Sequence, residues 1–339
     1  MLRHENAPAP EEDAASRGEL SADNGPLTVD WATSADEASL LLLFERAFGH
    51  RMAAEQWRWK YEGVEPTGSM VCRRGEPVGF YGGIPRRVLH FGESRLAVQI
   101  SDVMVLPEER GILKRHGAFF LATRAYAERY VGPDRAYAFA FGFPSERHAR
   151  LGERLGLYAC VDEILEATWT ALDARPSLRY KARLLQPNEV RTIDELWRRM
   201  SSNLKDLCIG VRDAAHISHR FLAHPTVQYV PLLVTHRLTG TPLGLVVLRD
   251  HNDSGLELLD AIAEPSSIPV LVRIARRAAA RLRRKKLFAW LTPSAAKYFD
   301  AAVVTPAGVP VPTIVWGASP DLEKLRDQWW LTGGDSDFR

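Results

Sequence analysis

The feature that most constrains the fold of this chain is a pattern that occurs twice along it. A Gly-x-Pro-x-Gly turn joins two apolar runs at residues 75–79 and again at residues 240–244. After each turn, an aspartate in an apolar run is followed five residues later by a proline, at Asp102–Pro107 and at Asp260–Pro265. Repetition in a fixed order is typical of a duplicated fold, although two unrelated α/β domains with common turn chemistry would give similar matches. The sequence therefore predicts two domains of one architecture.

The length of 339 residues agrees with two domains, since one domain usually takes about 100–200 residues. Residues 1–26 are rich in Ala, Pro, Glu and Asp and offer almost nothing for a core to bury, so we expect a disordered leader there. The first domain is then predicted at residues 27–175 and the second at residues 176–339.

Periodicity predicts alternating helices and strands in both halves, which is an α/β fold. The first helix has an apolar face formed by Leu40, Leu43, Phe44 and Ala47. A helix after Pro107 has an apolar stripe formed by Ala118, Leu121, Ala122 and Ala125. A strand near Ile164–Trp169 is expected to complete the first domain, and the same order of elements follows in the second.

Composition excludes several classes of protein. The net charge is only +2, from 44 basic and 42 acidic side chains, which argues against a surface that is basic throughout. Cys72, Cys160 and Cys208 have no paired spacing, so neither a disulfide framework nor a metal site is predicted. No apolar run suggests a membrane span or a signal peptide. We expect a soluble protein of the cytoplasm.

One strand-loop-helix segment carries the clearest functional signal. An apolar strand with Met104 and Val105 ends at Pro107, and a basic loop then leads into the helix. The segment resembles the central motif of the GNAT N-acetyltransferase superfamily, in which a Val-x-Pro strand end precedes an Arg/Gln-x-x-Gly-x-Gly/Ala loop and a helix. The resemblance implies two tandem GNAT-like domains, each with a mixed, mostly antiparallel central sheet flanked by helices.

The resemblance also implies acetyl-CoA or another acyl-CoA as the cofactor. In the family, the exposed strand backbone pairs with pantetheine and loop amides at the helix N-terminus hold the pyrophosphate, where free N–H groups favour an anion. The matching residues here are Met104, Val105, Arg110, Gly111, Lys114, Arg115, His116, Gly117 and Ala118. The loop is longer than the family pattern, and its three cations either contact phosphates or simply solvate the loop.

The catalytic candidates follow from the same resemblance. Anchored on Gly156, the general-acid tyrosine that is frequent in the family falls on Gly152, so either Tyr158 or His148 donates the proton or catalysis is absent. Family members often carry an acidic residue at the position of Asp102, and an amine must lose a proton before it attacks. We therefore predict Asp102 as the base; the alternative is a strand-end aspartate that bonds neighbouring backbone amides.

The second half lacks the basic loop, because only Ser266 and Ser267 separate Pro265 from the next helix. We expect a degenerate copy that binds no cofactor and completes a cleft. Basic residues crowd that helix between Arg273 and Lys286, which indicates either a surface for nucleic acid or an acidic substrate, or a solvated helix face.

Two further segments have open interpretations. Trp57, Trp59 and Tyr61 either line an acceptor cleft or pack in the core. The Gly-Gly-Asp-Ser-Asp tail resembles the closing segment of acyltransferase-like proteins associated with polysaccharide synthesis. It either places Asp335 and Asp337 near an acceptor or is a disordered acidic tail.

These features together predict an acyl-CoA-dependent, in the first place acetyl-CoA-dependent, N-acyltransferase that acts by direct transfer on a small amine such as an amino sugar. One alternative is an acyl-CoA-binding protein of the GNAT fold that has lost catalysis. Another is an aminoacyl-tRNA-dependent peptidyl transferase, which also has tandem GNAT-like domains. Nucleic acid is not an expected partner, and nothing in the sequence specifies an oligomeric state.

Overall fold

The computed structural model describes residues 25–110, 115–301, 303–317 and 321–339. All but the last two residues of the predicted leader lie outside the described residues, and so do Gly111 and Lys114 of the predicted cofactor loop. Within these ranges the strands form two sheets of seven strands each.

The elements of the first half, in chain order, are β1 (Leu27–Ala32), α1 (Glu37–Phe48), α2 (Ala54–Tyr61), β2 (Gly68–Arg73), β3 (Glu76–His90), β4 (Glu93–Val105), α3 (Ala118–Tyr130), β5 (Ala140–Gly142) and α4 (Glu146–Arg154). The chain continues through β6 (Tyr158–Thr170), β7 (Tyr180–Leu184), α5 (Val190–Ser202), β8 (Cys208–Gly210), α6 (Ala214–Ile217), β9 (Val230–His236), β10 (Pro242–Asp250) and β11 (Leu256–Ala263). It ends with α7 (Ile268–Arg281), β12 (Lys286–Leu291), α8 (Pro293–Ala296), β13 (Val303–Ile314), α9 (Leu322–Leu325) and β14 (Trp329–Trp330).

Both sheets are mixed and mostly antiparallel. The first has the order β1-β2-β3-β4-β5, with β8 beside β3 and β14 beside β8, and the second has the order β13-β6-β12-β11-β10-β9-β7. Parallel pairing is confined to β4 with β5 and β8 with β14 in the first sheet, and to β11 with β12 in the second. The predicted fold class, two α/β domains with mixed sheets and flanking helices, is confirmed.

The two sheets exchange strands, which the sequence did not indicate. The strand expected to complete the first domain, β6, instead pairs with β12 and β13 of the second sheet. In return, β8 and β14 extend the first sheet. The expected position of β6 was wrong because β5, only three residues long, offers few hydrogen bonds, whereas β13 offers twelve residues. A division at residue 175 therefore describes the sequence repeat and not the composition of the sheets.

The buried faces of the helices explain how they pack. In α1 the buried residues are the four predicted ones. In α3, Ala118 and Ala122 are buried as predicted, but Leu121 and Ala125 are only partly buried. The remaining buried positions of α3 are Phe120, Thr123, Tyr126 and Ala127. The apolar stripe of α3 was thus predicted too narrowly, because polar Thr123 and Tyr126 also face the interior.

The arginine-rich helix α7 uses its basic side chains within the chain. Arg276 donates from Nε to the carbonyl oxygen of Thr170 at 2.9 Å, and Arg277 pairs with Asp173 at 2.6 Å. Arg281 likewise donates to the carbonyl oxygen of Ala174. These contacts hold the segment that follows β6 against the helix, so several of the cations have a structural role.

None of the described helices combines the length and the apolar character that a bilayer span requires.

Candidate active site

A bulge in β4 turns Asp102 into the interior. Phe80 of β3 lies opposite Met104, but the next pair is Gly82 with Ser101, so β4 carries one extra residue there. Asp102 accordingly adopts a positive φ of 49°. A bulge breaks the alternation of a strand and redirects a side chain, which here brings the carboxylate of Asp102 towards α2.

Asp102 belongs to a buried group of charges that we call the lysine cluster: Lys60, Asp102 and Asp337. The Nζ atom of Lys60 lies 2.7 Å from Oδ2 of Asp102 and 2.6 Å from Oδ2 of Asp337. Tyr61 donates its hydroxyl to Asp102 at 2.9 Å. Of the three charged side chains, none is more than 8% exposed. Among the described residues, the partners of the Asp102 carboxylate are thus side chains and not neighbouring backbone amides.

Lys60 and Asp337 hold each other in their ionised forms. Burial by itself would lower the pKa of Lys60, but Asp102 and Asp337 raise it above its ordinary value. Burial would likewise raise the pKa of Asp337, but the charge and hydrogen bond of Lys60 hold it below its ordinary value. Two carboxylates and one ammonium therefore leave a net charge of about −1 in the interior.

The C-terminal tail delivers Asp337 to this cluster. Gln99 of β4 donates to Oδ1 of Asp337 at 2.9 Å, and the hydroxyl of Ser101 donates to Oδ2. Asp337 is 6% exposed and Ser336 is fully buried. The interpretation of the tail as disordered is wrong, because its polar groups find partners on β4.

A cavity of about 510 Å³ lies where β4 and β5 separate. The two strands are paired only from Val98 to Ile100 and from Ala140 to Gly142. The three catalytic candidates Asp102, Tyr158 and His148 all line this cavity, together with Lys60 and Asp337. Its apolar wall consists mainly of aromatic side chains, namely Phe44, Phe48, Tyr81, Phe119, Phe141, Phe143 and Phe338.

Tyr158 occupies the space next to Gly152. A β-carbon at Gly152 would overlap the ring of Tyr158, so the glycine makes room for that ring. The hydroxyl of Tyr158 lies 2.8 Å from the hydroxyl of Tyr81. Burial raises the pKa of Tyr158 well above its ordinary value, so the phenol stays protonated at neutral pH. The chain thus has a protonated phenol on the cavity, close to the position where the usual tyrosine is missing.

His148 lies near the start of α4, where its Nδ1 atom is 3.1 Å from the hydroxyl of Ser145. Burial lowers the pKa of His148, and the nearby charges of Arg147 and Arg110 lower it further. The imidazole is therefore neutral at neutral pH.

The residues predicted to bind acyl-CoA fall into two groups. Met104 and Val105 pair with β3 and lie outside the cavity wall, which includes β4 from Ile100 to Val103. Arg110 donates to the carbonyl oxygens of Ala47 and Val105, so it fastens the loop to the fold.

The second group lies at the start of α3. Gly117 is the N-cap of this helix and precedes Ala118, and a glycine has no side chain to bond the first amides. Arg115 and His116, just before it, are exposed, and Arg115 lies over the ring of Trp316.

Two observations fit a bound acyl-CoA. The first turn of α3 presents backbone amides without a side-chain cap, a favourable place for an anion. The hydroxyl of Thr313, which is 1% exposed and lines the cavity, has no hydrogen-bond partner among the described residues. A buried polar atom without a partner is costly, and this one belongs to a residue that borders the cavity.

The second half has its own buried group of charges, which we call the arginine cluster: Arg212, Asp260 and Asp335. The Nε atom of Arg212 lies 3.0 Å from Oδ2 of Asp260, and its Nη2 lies 2.5 Å from Oδ2 of Asp335. Asp335 and Asp337 of one tail thus enter two clusters, and each cluster contains one of the repeated aspartates Asp102 and Asp260.

Sequence reasoning identified the four aspartates but not the cations between them. Lys60 lies on α2 between Trp59 and Tyr61, and a lysine flanked by buried aromatic residues is a signal of a buried ion pair. Trp57 is buried as well, so the aromatic residues of α2 pack in the core and do not line the cavity. Trp59 also joins the halves by donating to the carbonyl oxygen of His219 at 2.8 Å.

Comparison with known proteins supports the fold. Residues 28–157 match the family model of the acetyltransferase (GNAT) domain. A GCN5-related N-acetyltransferase from Kribbella flavida has a similar structure, with a TM-score of 0.63, 17% identity, and coverage of 86% of this chain and 71% of that one. For a GCN5-related N-acetyltransferase from Anabaena variabilis, the TM-score is 0.61, with 12% identity and coverage of 85% and 72%.

The N-myristoyltransferase of Saccharomyces cerevisiae, solved with bound myristoyl-CoA, is similar over 91% of this chain and 88% of its own, with a TM-score of 0.54 and 11% identity. No curated protein sequence matches the chain. The fold and the matched domain support acyl-CoA-dependent N-acyl transfer in general terms. Residues 28–157 therefore match an acetyltransferase (GNAT) domain, and the chain as a whole has a fold similar to that of GCN5-related N-acetyltransferases, with two similar halves.

Proposed function

We propose that the protein transfers an acyl group, acetyl in the first place, directly from acyl-CoA to the amine of a small acceptor. The observation that carries this proposal is that a buried carboxylate, Asp102, and a protonated phenol, Tyr158, line the same cavity. The cavity lies where β4 and β5 separate within the matched acetyltransferase domain.

The reaction needs a proton removed from the amine and a proton delivered to the leaving sulfur. Acyl-CoA, when bound, supplies the activated acyl group as a thioester. Asp102, or a water that it holds, accepts the proton as the new carbon–nitrogen bond forms. Tyr158 donates a proton as the carbon–sulfur bond breaks, and His148 is the second candidate for that step. A backbone N–H of β4 polarises the acyl carbonyl; the family resemblance points to Met104 and Val105, and Asp102 and Val103 just before them are the β4 residues that line the cavity.

The charges of the site favour an amine acceptor. The lysine cluster has a net charge of about −1 at the wall of the cavity, which attracts a protonated amine before it loses its proton. Aromatic side chains on the same wall would pack against an apolar or ring-shaped acceptor body, and an amino sugar has such a ring.

The basic loop with Arg110, Gly111, Lys114 and Arg115 is the proposed phosphate site. We assign the enzyme to the cytoplasm, where acyl-CoA is available and Cys72 stays reduced.

Particular contacts bear on the two alternatives, a non-catalytic acyl-CoA-binding protein and a peptidyl transferase. Loss of the usual tyrosine at Gly152 favours a binding protein without catalysis, but the phenol of Tyr158 in the adjacent space favours an enzyme. A peptidyl transferase would need a surface for tRNA, and the contacts of Arg276 and Arg277 with the segment after β6 use part of the basic helix for another purpose.

Calorimetry with coenzyme A tests the cofactor, and release of free thiol from acetyl-CoA over a panel of amines tests the reaction. We expect one saturable site and turnover with at least one amine. Tyr158→Phe keeps the ring beside Gly152 but removes the proton donor, so turnover should fall roughly 10²-fold or more with the affinity for coenzyme A unchanged. Tyr130→Phe, outside the cavity wall, is the matched control and should behave as the wild type.

Each failure points to a different conclusion. No binding of coenzyme A would refute the proposed cofactor. Binding without thiol release over the whole panel would favour the non-catalytic alternative. A submicromolar complex with tRNA that weakens steeply with salt would favour the peptidyl transferase.

A further inference from the structure

A second cavity, of about 250 Å³, lies between the two halves. We call it the interdomain cleft and define it by Arg86, His216, His219, Trp329 and Asp335. Arg86 comes from β3 of the first sheet, His216 and His219 follow the repeat boundary, and Trp329 belongs to β14. The cleft is therefore built by segments that are far apart in the sequence.

Arg86 brings to this cleft a positive charge that forms no ion pair with another described residue. Its Nε atom donates to Oε1 of Gln99 at 2.8 Å, and its Nη1 and Nη2 atoms bond no other described residue. Burial and then the charge of Arg220 lower the pKa of Arg86 to about 10, and Asp337 with Asp335 offset only part of that effect. The guanidinium is still charged at neutral pH and only partly exposed, so an anion in the cleft would find in it a cation that no described carboxylate pairs with.

The other charged groups of the cleft are already paired or neutral. Arg87 pairs with Asp213 at 2.7 Å, and Asp335 pairs with Arg212, which it shares with Asp260 in the arginine cluster. Burial, followed by the charges of Arg86, Arg212 and Arg220, lowers the pKa of His216, which is therefore neutral.

His219 is neutral for similar reasons, since burial and Arg86 lower its pKa. The indole Nε1 of Trp329, whose side chain is fully buried, also has no hydrogen-bond partner among the described residues. The cleft thus presents the planar guanidinium fork of Arg86 as the charge that has no ion-pair partner among the described residues, with neutral imidazoles around it.

We propose that the interdomain cleft binds the carboxylate or phosphate group of a small molecule on Arg86. A guanidinium presents parallel N–H groups that match the oxygens of these anions, and the neutral imidazoles add no competing negative charge. The volume of about 250 Å³ restricts the ligand to a small molecule. This site is separate from the cavity at β4 and β5, and its test does not depend on acyl transfer.

The same hydrogen bonds connect the cleft to the candidate active site. Arg86 donates to Gln99, and Gln99 donates to Asp337 at 2.9 Å. Asp337 in turn bonds Lys60, which also pairs with Asp102. An anion bound to Arg86 would therefore contact a residue that lies two hydrogen bonds away from Asp337 of the lysine cluster. This connection distinguishes Arg86 from a cation on the outer surface.

Titration of the whole protein with inorganic phosphate, and separately with acetate, tests the proposal. The ionic strength is held constant with chloride, and the melting temperature and the tryptophan fluorescence are recorded. We expect a saturable response to at least one of the two anions, with a fluorescence change because Trp329 lines the cleft. Arg86→Gln, which removes the charge, should weaken this binding about tenfold or more.

Arg87→Gln is the matched control, because Arg87 is the neighbouring exposed arginine and already has Asp213 as its partner. It should bind the anion as the wild type does. Arg86→Lys keeps the charge without the planar fork and should bind several-fold more weakly than the wild type. This variant, compared with the wild type, decides the question if Arg86→Gln does not fold.

Three results would overturn the proposal. The first is a wild-type protein that responds to phosphate and acetate no more than to chloride. The second is an Arg86→Gln or Arg86→Lys protein that binds with wild-type affinity. The third is equal weakening in Arg87→Gln, which would mean a general surface charge effect.

Discussion

The lysine cluster and the arginine cluster have the same composition but different access. Each contains one cation, one aspartate of the repeated pattern and one aspartate of the tail. All three members of the lysine cluster line the large cavity, whereas in the arginine cluster only Asp335 borders a cavity, the interdomain cleft, and Arg212 and Asp260 are 0% and 1% exposed and line neither. The comparison teaches that the duplication preserved a way of burying charge, and that an open path to the charges makes only one copy suitable for chemistry.

The tail explains why the second copy is closed. A β-carbon on Gly334 would lie 3.0 Å from Cζ of Phe221 and 3.1 Å from the carbonyl oxygen of Leu259. Leu259 precedes Asp260 on β11, which is the strand that corresponds to β4. The Gly-Gly segment therefore packs against β11 of the second sheet. At the corresponding position of the first sheet, β4 borders the large cavity.

Asp102→Asn and Asp260→Asn test the comparison most directly. If Asp102 accepts the proton of the amine, Asp102→Asn should lower turnover roughly 10²–10⁴-fold and leave the affinity for coenzyme A nearly unchanged. Asp260→Asn should lower the melting temperature and change turnover by only a few fold. Turnover, calorimetry and melting curves are measured on both variants. A fully active Asp102→Asn protein would instead favour His148, whose neutral imidazole lines the same cavity, as the base.

Removing the cation should lower the free energy of unfolding more in the arginine cluster than in the lysine cluster, which borders the large cavity. Arg212→Met leaves Asp260 and Asp335 buried without a cation, so the free energy of unfolding should fall by about 3–5 kcal/mol. Lys60→Met leaves two carboxylates beside a cavity that water can enter, so we expect a smaller fall. Urea denaturation of both variants measures the difference. Equal losses, or a greater loss in Lys60→Met, would contradict the proposed difference in access.

Asp162 shows what a buried aspartate does without a cation. It is 7% exposed and accepts hydrogen bonds from the backbone amides of Glu163 and Trp329. Burial outweighs those bonds and raises the pKa of Asp162 to about 7, whereas Lys60 holds the pKa of Asp337 below its ordinary value.

The sign of the pH dependence follows from that raised pKa. The folded state keeps the proton of Asp162 up to about pH 7, and the unfolded state releases it near pH 4, so this group lowers stability as the pH rises through that window. Asp162→Asn should remove this dependence and raise the free energy of unfolding at pH 8 by about 1–3 kcal/mol. Denaturation at pH 5 and pH 8 checks it, and an unchanged pH profile would be the contrary result.

The sequence was sufficient to predict those features in which a residue type has a single structural role, such as a turn or an apolar helix face. The repeated turns predicted the duplication, and the apolar spacing in α1 predicted its buried face. Aligning the halves pairs Lys60 with Arg220, and Arg220 does reach the tail, but it bonds the carbonyl oxygens of Gly334 and Ser336. The cation on Asp260 is Arg212 instead, because a long guanidinium side chain can reach from a different element, which spacing does not reveal.

Sheet membership could not be predicted for a related reason. A strand pattern indicates which side chains are buried but not which neighbour supplies the hydrogen bonds, so β6 was assigned to the wrong sheet. The cavity also depends on this assignment, since Tyr158 begins β6 and Thr313 lies on its neighbour β13.

The exchange of strands has a consequence for the order in which the chain assembles. The first sheet includes β14, so a ribosome must synthesise the chain as far as Trp330 before that sheet is complete. An N-terminal fragment that ends at residue 175 would expose both edges of β6 and leave β3 without β8. Contacts over such long sequence separations favour slow, late assembly. We therefore expect that neither half folds when it is expressed without the other.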